Sequence, residues 1–192
     1  MNYLVGDIGN TLIKISILNH KFDVKKSYNL DTNKLYTKKN INSFFKKFLN
    51  KKINKKILFS SVVPNVFKNI KRYFNLKKYE AYEVGDLKIK KIIKIKVDNI
   101  KQVGSDRIAN AIAVKKNIKS NCLVVDFGTA TTFDIIKKNG TYVGGVIAPG
   151  VKSSIYNLNK STALLPIIRL KSITKTYGKN TKDALNAGFL WG

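Results

Sequence analysis

Two aspartate–glycine turns place carboxylates, hydroxyls and pliable backbone at comparable points of the chain. One is Asp7-Ile-Gly-Asn-Thr-Leu-Ile-Lys14, the other Asp126-Phe-Gly-Thr-Ala-Thr-Thr132. Each follows a short apolar run and precedes another, and glycine permits a tight reversal between strands. Such a turn offers backbone N–H groups and threonine hydroxyls to an anion, with a carboxylate beside it for a cation. That chemistry suits a nucleoside triphosphate with its metal. In the first turn Asp7 would position Mg²⁺ or its waters, and Asn10, Thr11 and nearby N–H groups would meet phosphate oxygens. Lys14 would offset charge on a transferred phosphoryl group. The same residues also satisfy a plain hairpin, in which Asp and Asn serve turn geometry. In the second turn an aspartate and three threonines close a Leu-Val-Val strand. The strand predicts burial there, and buried polar groups need partners that phosphate and a cation would supply.

A third element, Val103-Gly-Ser-Asp-Arg107, opens a helical pattern. Its first-turn N–H groups favour anions, Asp106 can accept a proton from a hydroxyl, and Arg107 can grip a carboxylate through two parallel hydrogen bonds. Ser105 or Asp106 could equally serve as a simple N-cap. A fourth, Gly144-Gly-Val-Ile-Ala-Pro-Gly150, would let backbone approach a ligand closely, or would merely connect strand to helix. His20, the sole histidine, follows a strand at a turn and reads as a surface residue. With no Cys/His cluster there is no zinc motif, and neither a P-loop nor a dinucleotide fingerprint is present.

The 192 residues suffice for one large domain or two small lobes, and 44% hydrophobic content supports a packed core. The single cysteine, Cys122, lies in an apolar run, so no internal disulfide forms and a reducing cytoplasm fits. The opening residues Met-Asn-Tyr-Leu-Val-Gly-Asp lack the basic flank of a signal peptide, and no apolar run reaches membrane-spanning length. The formal charge of +26 is almost all lysine, with Arg72, Arg107 and Arg169 the only arginines. Base-reading surfaces favour arginine forks, so no specific nucleic-acid partner is expected. Non-specific attraction to polyanions at low salt is expected.

These motifs need elements to hold them. Alternating residues predict strands over Leu4–Ile8 and Thr11–Leu18, with Thr11, Ile13, Ile15 and Ile17 sharing one face. Further strands are predicted near Phe22–Tyr28, Ile57–Val63, Tyr79–Val84 and Ile92–Val97, then over Cys122–Phe127, Thr131–Ile136 and Tyr142–Ile147. Helices are predicted over Asn42–Leu49, Asn65–Phe74 and Ser105–Asn117, and near Val151–Asn157 and Thr181–Leu190. The lysine stretches Lys51–Lys56 and Lys88–Lys96 read as exposed. The two halves repeat strand, Asp-x-Gly turn, strand and then helix, which predicts two related α/β lobes, residues 1–110 and 111–192, with a cleft between them.

Asp7-Ile-Gly-Asn-Thr with Lys14, Ser60-Ser-Val-Val-Pro64, Gly104-Ser-Asp-Arg107, Asp126-Phe-Gly-Thr-Ala-Thr-Thr132 and Gly144-Gly-Val-Ile-Ala-Pro-Gly150 together resemble type III pantothenate kinases. Ser161-Thr-Ala-Leu-Leu-Pro166 and Gly178-Lys-Asn-Thr181 extend the match, in the family's order, across nearly the whole chain. The resemblance implies an α/β, actin-like ATPase fold with duplicated ribonuclease H-like lobes and mixed sheets. It implies a homodimer and ATP-dependent phosphorylation of pantothenate with Mg²⁺ and a monovalent cation, K⁺ or NH₄⁺. By the same resemblance Asp7, Ile8, Gly9, Asn10, Thr11, Leu12, Ile13 and Lys14 form the ATP phosphate loop, and Thr129 is a further ATP contact. Gly104, Ser105, Asp106 and Arg107 bind pantothenate, with Asp106 the catalytic base, and Thr181 contacts substrate across the dimer. Asp126 holds the monovalent cation. The family's tyrosine and proline ahead of the Gly-x-Asp-Arg motif align with Val97 and Ile100 here. Family chains also extend beyond the equivalent of Gly192, so the second lobe is expected to be incomplete. A non-catalytic relative that binds or regulates is the alternative expectation.

Overall fold

Alternation of apolar and polar residues drives the first strands together. In β1 (Tyr3–Ile8) Leu4 and Ile8 are buried, and in β2 (Leu12–Leu18) Ile13 and Ile15 are buried. The strands pair antiparallel with Ile8 opposite Ile13 and Gly6 opposite Ile15, which puts the apolar set on one face. Gly6 is needed here: a Cβ would lie 2.4 Å from the Phe59 ring. The computed structural model describes residues 1–49 and 52–191. Lys51, at the head of a predicted lysine stretch, and Gly192 lie outside the described residues.

In chain order there follow β3 (Val24–Asp31), α1 (Lys38–Phe45), β4 (Lys56–Ser61), α2 (Pro64–Leu76), β5 (Glu80–Glu83), α3 (Ile89–Ile92) and α4 (Ser105–Asn117). Then come β6 (Cys122–Phe127), β7 (Ala130–Ile136), β8 (Tyr142–Pro149), α5 (Val151–Lys160) and α6 (Thr181–Trp191). The first sheet has the order β3-β2-β1-β4-β5. Its β1–β2 and β2–β3 pairs are antiparallel, and its β1–β4 and β4–β5 pairs are parallel. The second sheet has the order β6-β7-β8. Contacts divide the chain into two compact units. One is Met1–Val124 with Asp134–Gly144, and the other is Val125–Phe133 with Gly145–Gly192. This division follows contact density, whereas the expected boundary near residue 110 follows the sequence repeat.

In the first unit, Leu4, Ile8, Ile13, Ile15 and Phe59 of the sheet pack with Phe45 of α1 and Val66, Ile70 and Phe74 of α2. Pro64 starts α2, where its missing N–H costs nothing. A second cluster gathers Val84, Ile89, Ile93, Ile108, Ala111, Ile136 and Tyr142. In the second unit Ile155 of α5 and Ala187 of α6 are buried, along with Thr131 and Asn186. Asn180 caps α6: its Oδ1 accepts from the Asp183 N–H at 2.9 Å and its Nδ2 donates back to Asp183 at 2.7 Å. Leu164 and Phe127 are 90% and 75% exposed, so this unit covers much less of its apolar surface than the first.

Three predicted elements differ. The strand predicted over Ile92–Val97 is not formed. Residues 89–92 are helical, Ile89 and Ile93 are buried one turn apart, and only Ile95 makes a bridge, to Tyr142. The strand predicted from Phe22 begins at Val24, because Asn19 Oδ1 accepts from the N–H groups of Lys21 and Asp23 and holds a turn with Phe22 at φ 67°. The helix predicted over Asn42–Leu49 starts earlier, at Lys38, where Thr37 accepts from the Asn40 N–H. It tightens to a 3₁₀ turn over Lys46–Phe48.

Candidate active site

Pairing in the first sheet lines up polar residues from four strands. Lys14 stands opposite Asp7, Asn29 opposite Lys14, and Ser60 opposite Asp7. Residues directly opposed share a face, so Asn29, Lys14, Asp7 and Ser60 form one row, on the face away from Ile8 and Ile13. The Asp7 turn closes through the Gly9 N–H, which donates to the Leu12 carbonyl at 3.0 Å. Thr32, fully buried after β3, braces it from outside. Its Oγ1 donates to the Gly9 carbonyl at 2.7 Å and its N–H donates to the Thr11 carbonyl at 2.9 Å. Asn10 and Thr11 are left exposed at the tip, with Lys14 exposed nearby.

The N-terminus of α4 is stitched to this row. The Ser61 N–H donates to Ser105 Oγ at 2.8 Å, Ser105 Oγ donates to the Ser61 carbonyl at 3.0 Å, and the Ser60 hydroxyl lies 3.4 Å from the Ser105 hydroxyl. Ser105 is therefore a buried structural clasp, and Asp106 is the next residue along. The Asp106 Oδ1 accepts from the Arg107 N–H at 2.7 Å, within the first helical turn. Gly104 makes room for that carboxylate, since a Cβ there would stand 2.4 Å from Asp106 Oδ1. A hollow of about 740 Å³ borders this end of α4, with Ser61, Val62, Gly104 and Ser105 among its walls and Lys88, Lys90, Lys91 and Lys101 around it.

Arg107 turns to a buried partner. Its Nε donates to Asp134 Oδ1 at 2.7 Å, and Tyr142 Oη donates to the same oxygen at 2.9 Å. Asp134 is fully buried, while Arg107 keeps 12% of its side chain exposed. Arg107 Nη2 and Asp134 Oδ2 are both buried with no hydrogen-bond partner. Burial first, then the hydrogen bond to Asp134 and that residue's charge, push the Tyr142 phenol up to about 12. Thr32, Asp134 and Tyr142 are absent from the sequence expectation. The one available signal was an isolated carboxylate inside the apolar strand Thr131–Ile136.

The second turn departs from expectation in one respect: Asp126, Gly128 and Thr129 are exposed, not buried. β6 presents this stretch at the surface, with Phe127 beside it. The turn is tied to the glycine-rich segment within its own unit. The Gly150 N–H donates to the Thr129 carbonyl at 3.1 Å and Ser153 Oγ donates to the same carbonyl at 3.2 Å. A Cβ at Gly150 would come within 2.4 Å of the Gly128 and Thr129 carbonyl oxygens. The backbone of this segment thus lies close against the neighbouring turn. Thr181 is exposed on the first turn of α6.

Among the described residues no three His, Cys, Asp or Glu side chains gather as a metal site. The single carboxylate of Asp7, beside a turn, fits Mg²⁺ shared with phosphates and not an all-protein cage.

A family model described as type III pantothenate kinase matches residues 3–192. A type III pantothenate kinase from Pelagibacter ubique (strain HTCC1062) is 48% identical over 195 aligned positions, covering 98% of this chain and 75% of that protein. One from Koribacter versatilis (strain Ellin345) is 42% identical, covering 71% of this chain and 50% of that protein. The chain thus spans three quarters of the first relative's length and half of the second's. Among solved structures, a Sinorhizobium meliloti protein provisionally described as a 2-dehydro-3-deoxygalactonokinase matches 83% of this chain and 57% of its own. It does so with a TM-score of 0.50 and 10% identity, a likeness of fold alone.

Proposed function

The chain belongs to the type III pantothenate kinase family, and from that premise we propose that it transfers the γ-phosphoryl group of ATP to the hydroxyl of pantothenate. This is the first step towards coenzyme A, carried out in the cytoplasm by a homodimer. The fold is the mixed α/β architecture of actin-like ATPases and sugar kinases. One observation carries the reading: β1–β4 pairing and the Ser60–Ser61–Ser105 hydrogen bonds bring the Asp7 turn and the Gly104–Arg107 segment to the same end of the sheet's central strands.

In this reading the Asp7–Lys14 turn receives the phosphates through its backbone N–H groups and the Thr11 hydroxyl, and Lys14 offsets their charge. Asp7 would help to hold Mg²⁺, which would supply charge that lessens repulsion towards the attacking oxygen. Asp106 accepts the proton of the pantothenate hydroxyl as that oxygen attacks phosphorus, and Arg107 orients the substrate carboxylate. Family correspondence further assigns Thr129 to ATP, Asp126 to K⁺ or NH₄⁺, and Thr181 to substrate from the neighbouring subunit. The repeat assigns residues 1–110 and 111–192 to duplicated lobes. A non-catalytic binding role is not favoured, since the kinase family model runs from residue 3 to residue 192.

The test is formation of phosphopantothenate that requires ATP, pantothenate and K⁺ or NH₄⁺. Asp106→Asn should lower turnover by about 10²–10⁴-fold with little change in thermal stability. Equal turnover in the two proteins would remove Asp106 as the base.

A further inference from the structure

We propose that Asp134 is a positioning residue for Arg107, and that the Asp134–Tyr142 pair makes the site select a carboxylate over its neutral amide. The inference rests on the reading above, in which Arg107 holds the acceptor's carboxylate, and it extends that reading to residues buried beneath it.

The geometry is that of a support. A carboxylate whose task was only to neutralise Arg107 would face the guanidinium through two parallel hydrogen bonds, the strongest arrangement open to the pair. Here Asp134 takes only Nε, at 2.7 Å, with a single oxygen. Tyr142 donates to that same oxygen at 2.9 Å, so both partners load onto Oδ1 and fix the carboxylate from two directions. The Arg107 guanidinium carbon also lies 5.9 Å from the Tyr142 ring centroid. The guanidinium is therefore held along its Nε side, where Nη2 and Asp134 Oδ2 are buried with no hydrogen-bond partner, and 12% of the Arg107 side chain stays exposed. A guanidinium carries five N–H donors, and those that Asp134 does not take can meet an anionic ligand at the exposed part of the side chain. Asp134, fully buried on β7, cannot reach such a ligand as an exposed contact. Its part is to fix the direction in which Arg107 presents its remaining N–H groups.

This role makes a distinction that a purely structural one does not. If Asp134 merely stabilised the fold, its loss would weaken all acceptor-like ligands alike. If it aims a cation at a carboxylate, its loss would weaken the acid more than the uncharged amide of the same acid. The experiment measures equilibrium binding of pantothenate and of its neutral carboxamide to the full chain, with a non-hydrolysable ATP analogue present. It compares wild type with Asp134→Asn, Tyr142→Phe and Arg107→Ala. The wild type should prefer the acid. Asp134→Asn should shrink that preference by about tenfold, the scale of one charge-assisted hydrogen bond, and Tyr142→Phe should shrink it less.

Parallel weakening of both ligands in Asp134→Asn would overturn the proposal while leaving Arg107 as the clamp. An undiminished preference in Arg107→Ala, or none in the wild type, would remove Arg107 as the clamp and the proposal with it. Should Asp134→Asn fail to fold, Tyr142→Phe decides alone, and an unchanged preference in it overturns the proposal.

Discussion

Tyr142 shows how one hydroxyl ties charge, burial and pH together. Its phenol is held near 12 against an ordinary value of 10, chiefly by burial and then by its bond to Asp134. A raised folded-state value means that the folded protein keeps this proton where the unfolded chain would lose it. The stabilisation is complete below pH 10 and declines as pH rises from about 10 to 12. Ionised, the phenolate would face the Asp134 carboxylate with only Arg107 to offset both. Denaturant midpoints at pH 9 and pH 12 should therefore show a gap between wild type and Tyr142→Phe that narrows at the higher pH. A constant gap would mean that Tyr142 does not titrate with unfolding. Asp134 is the residue that sequence reading passed over. A lone aspartate in an apolar strand does not name its partner, and only the fold brings Arg107, 27 residues earlier, onto it.

Gly150 plays the comparable part among elements, joining the end of β8 and the start of α5 to the turn after β6. The carbonyls of Gly128 and Thr129 leave no room for a Cβ, and both are backbone atoms that cannot swing aside. Gly150→Ala should cost about 1–3 kcal/mol, the usual range for overpacking, and weaken ATP binding. Calorimetric melting and nucleotide titration would check this, and unchanged values in both would show that the turn tolerates displacement. How legible the elements were depended on whether their pattern had one physical meaning. The strands around Asp7 alternate cleanly and α4 carries a continuous apolar stripe, so both could be read from residue types. Ile89 to Ile95 mixes isoleucine and lysine at spacings that serve strand or helix. Burial of Ile89 and Ile93 against Ile108 decided for a helical turn. The Asp7–Lys14 turn was legible as a reversal between two strands, whereas Thr32, which braces it from beyond β3, was not, because a buried threonine after a strand has no signature of its own.

At the scale of the whole molecule the charge of +26 dominates behaviour in solution. Lysines on this scale gather anions without reading sequence. The protein should bind heparin and any DNA at low ionic strength and release both as salt rises, with log affinity falling linearly against log salt. A sequence preference that survives at high salt would show that the charge serves recognition. No helix among the described residues is long and apolar enough to cross a membrane. The row of Asn29, Lys14, Asp7 and Ser60 carries a different consequence. A slip of one residue between β1 and β2 would exchange that row for Ile8 and Ile13, and their complete burial forbids it. Alignment of these polar groups is thus inherited from oily residues on the opposite side of the sheet. In a saturation screen scored on growth, substitutions at Gly6, Ile8 and Ile13 should score as damaging through the register they hold, since Ile8 and Ile13 are fully buried on the opposite face.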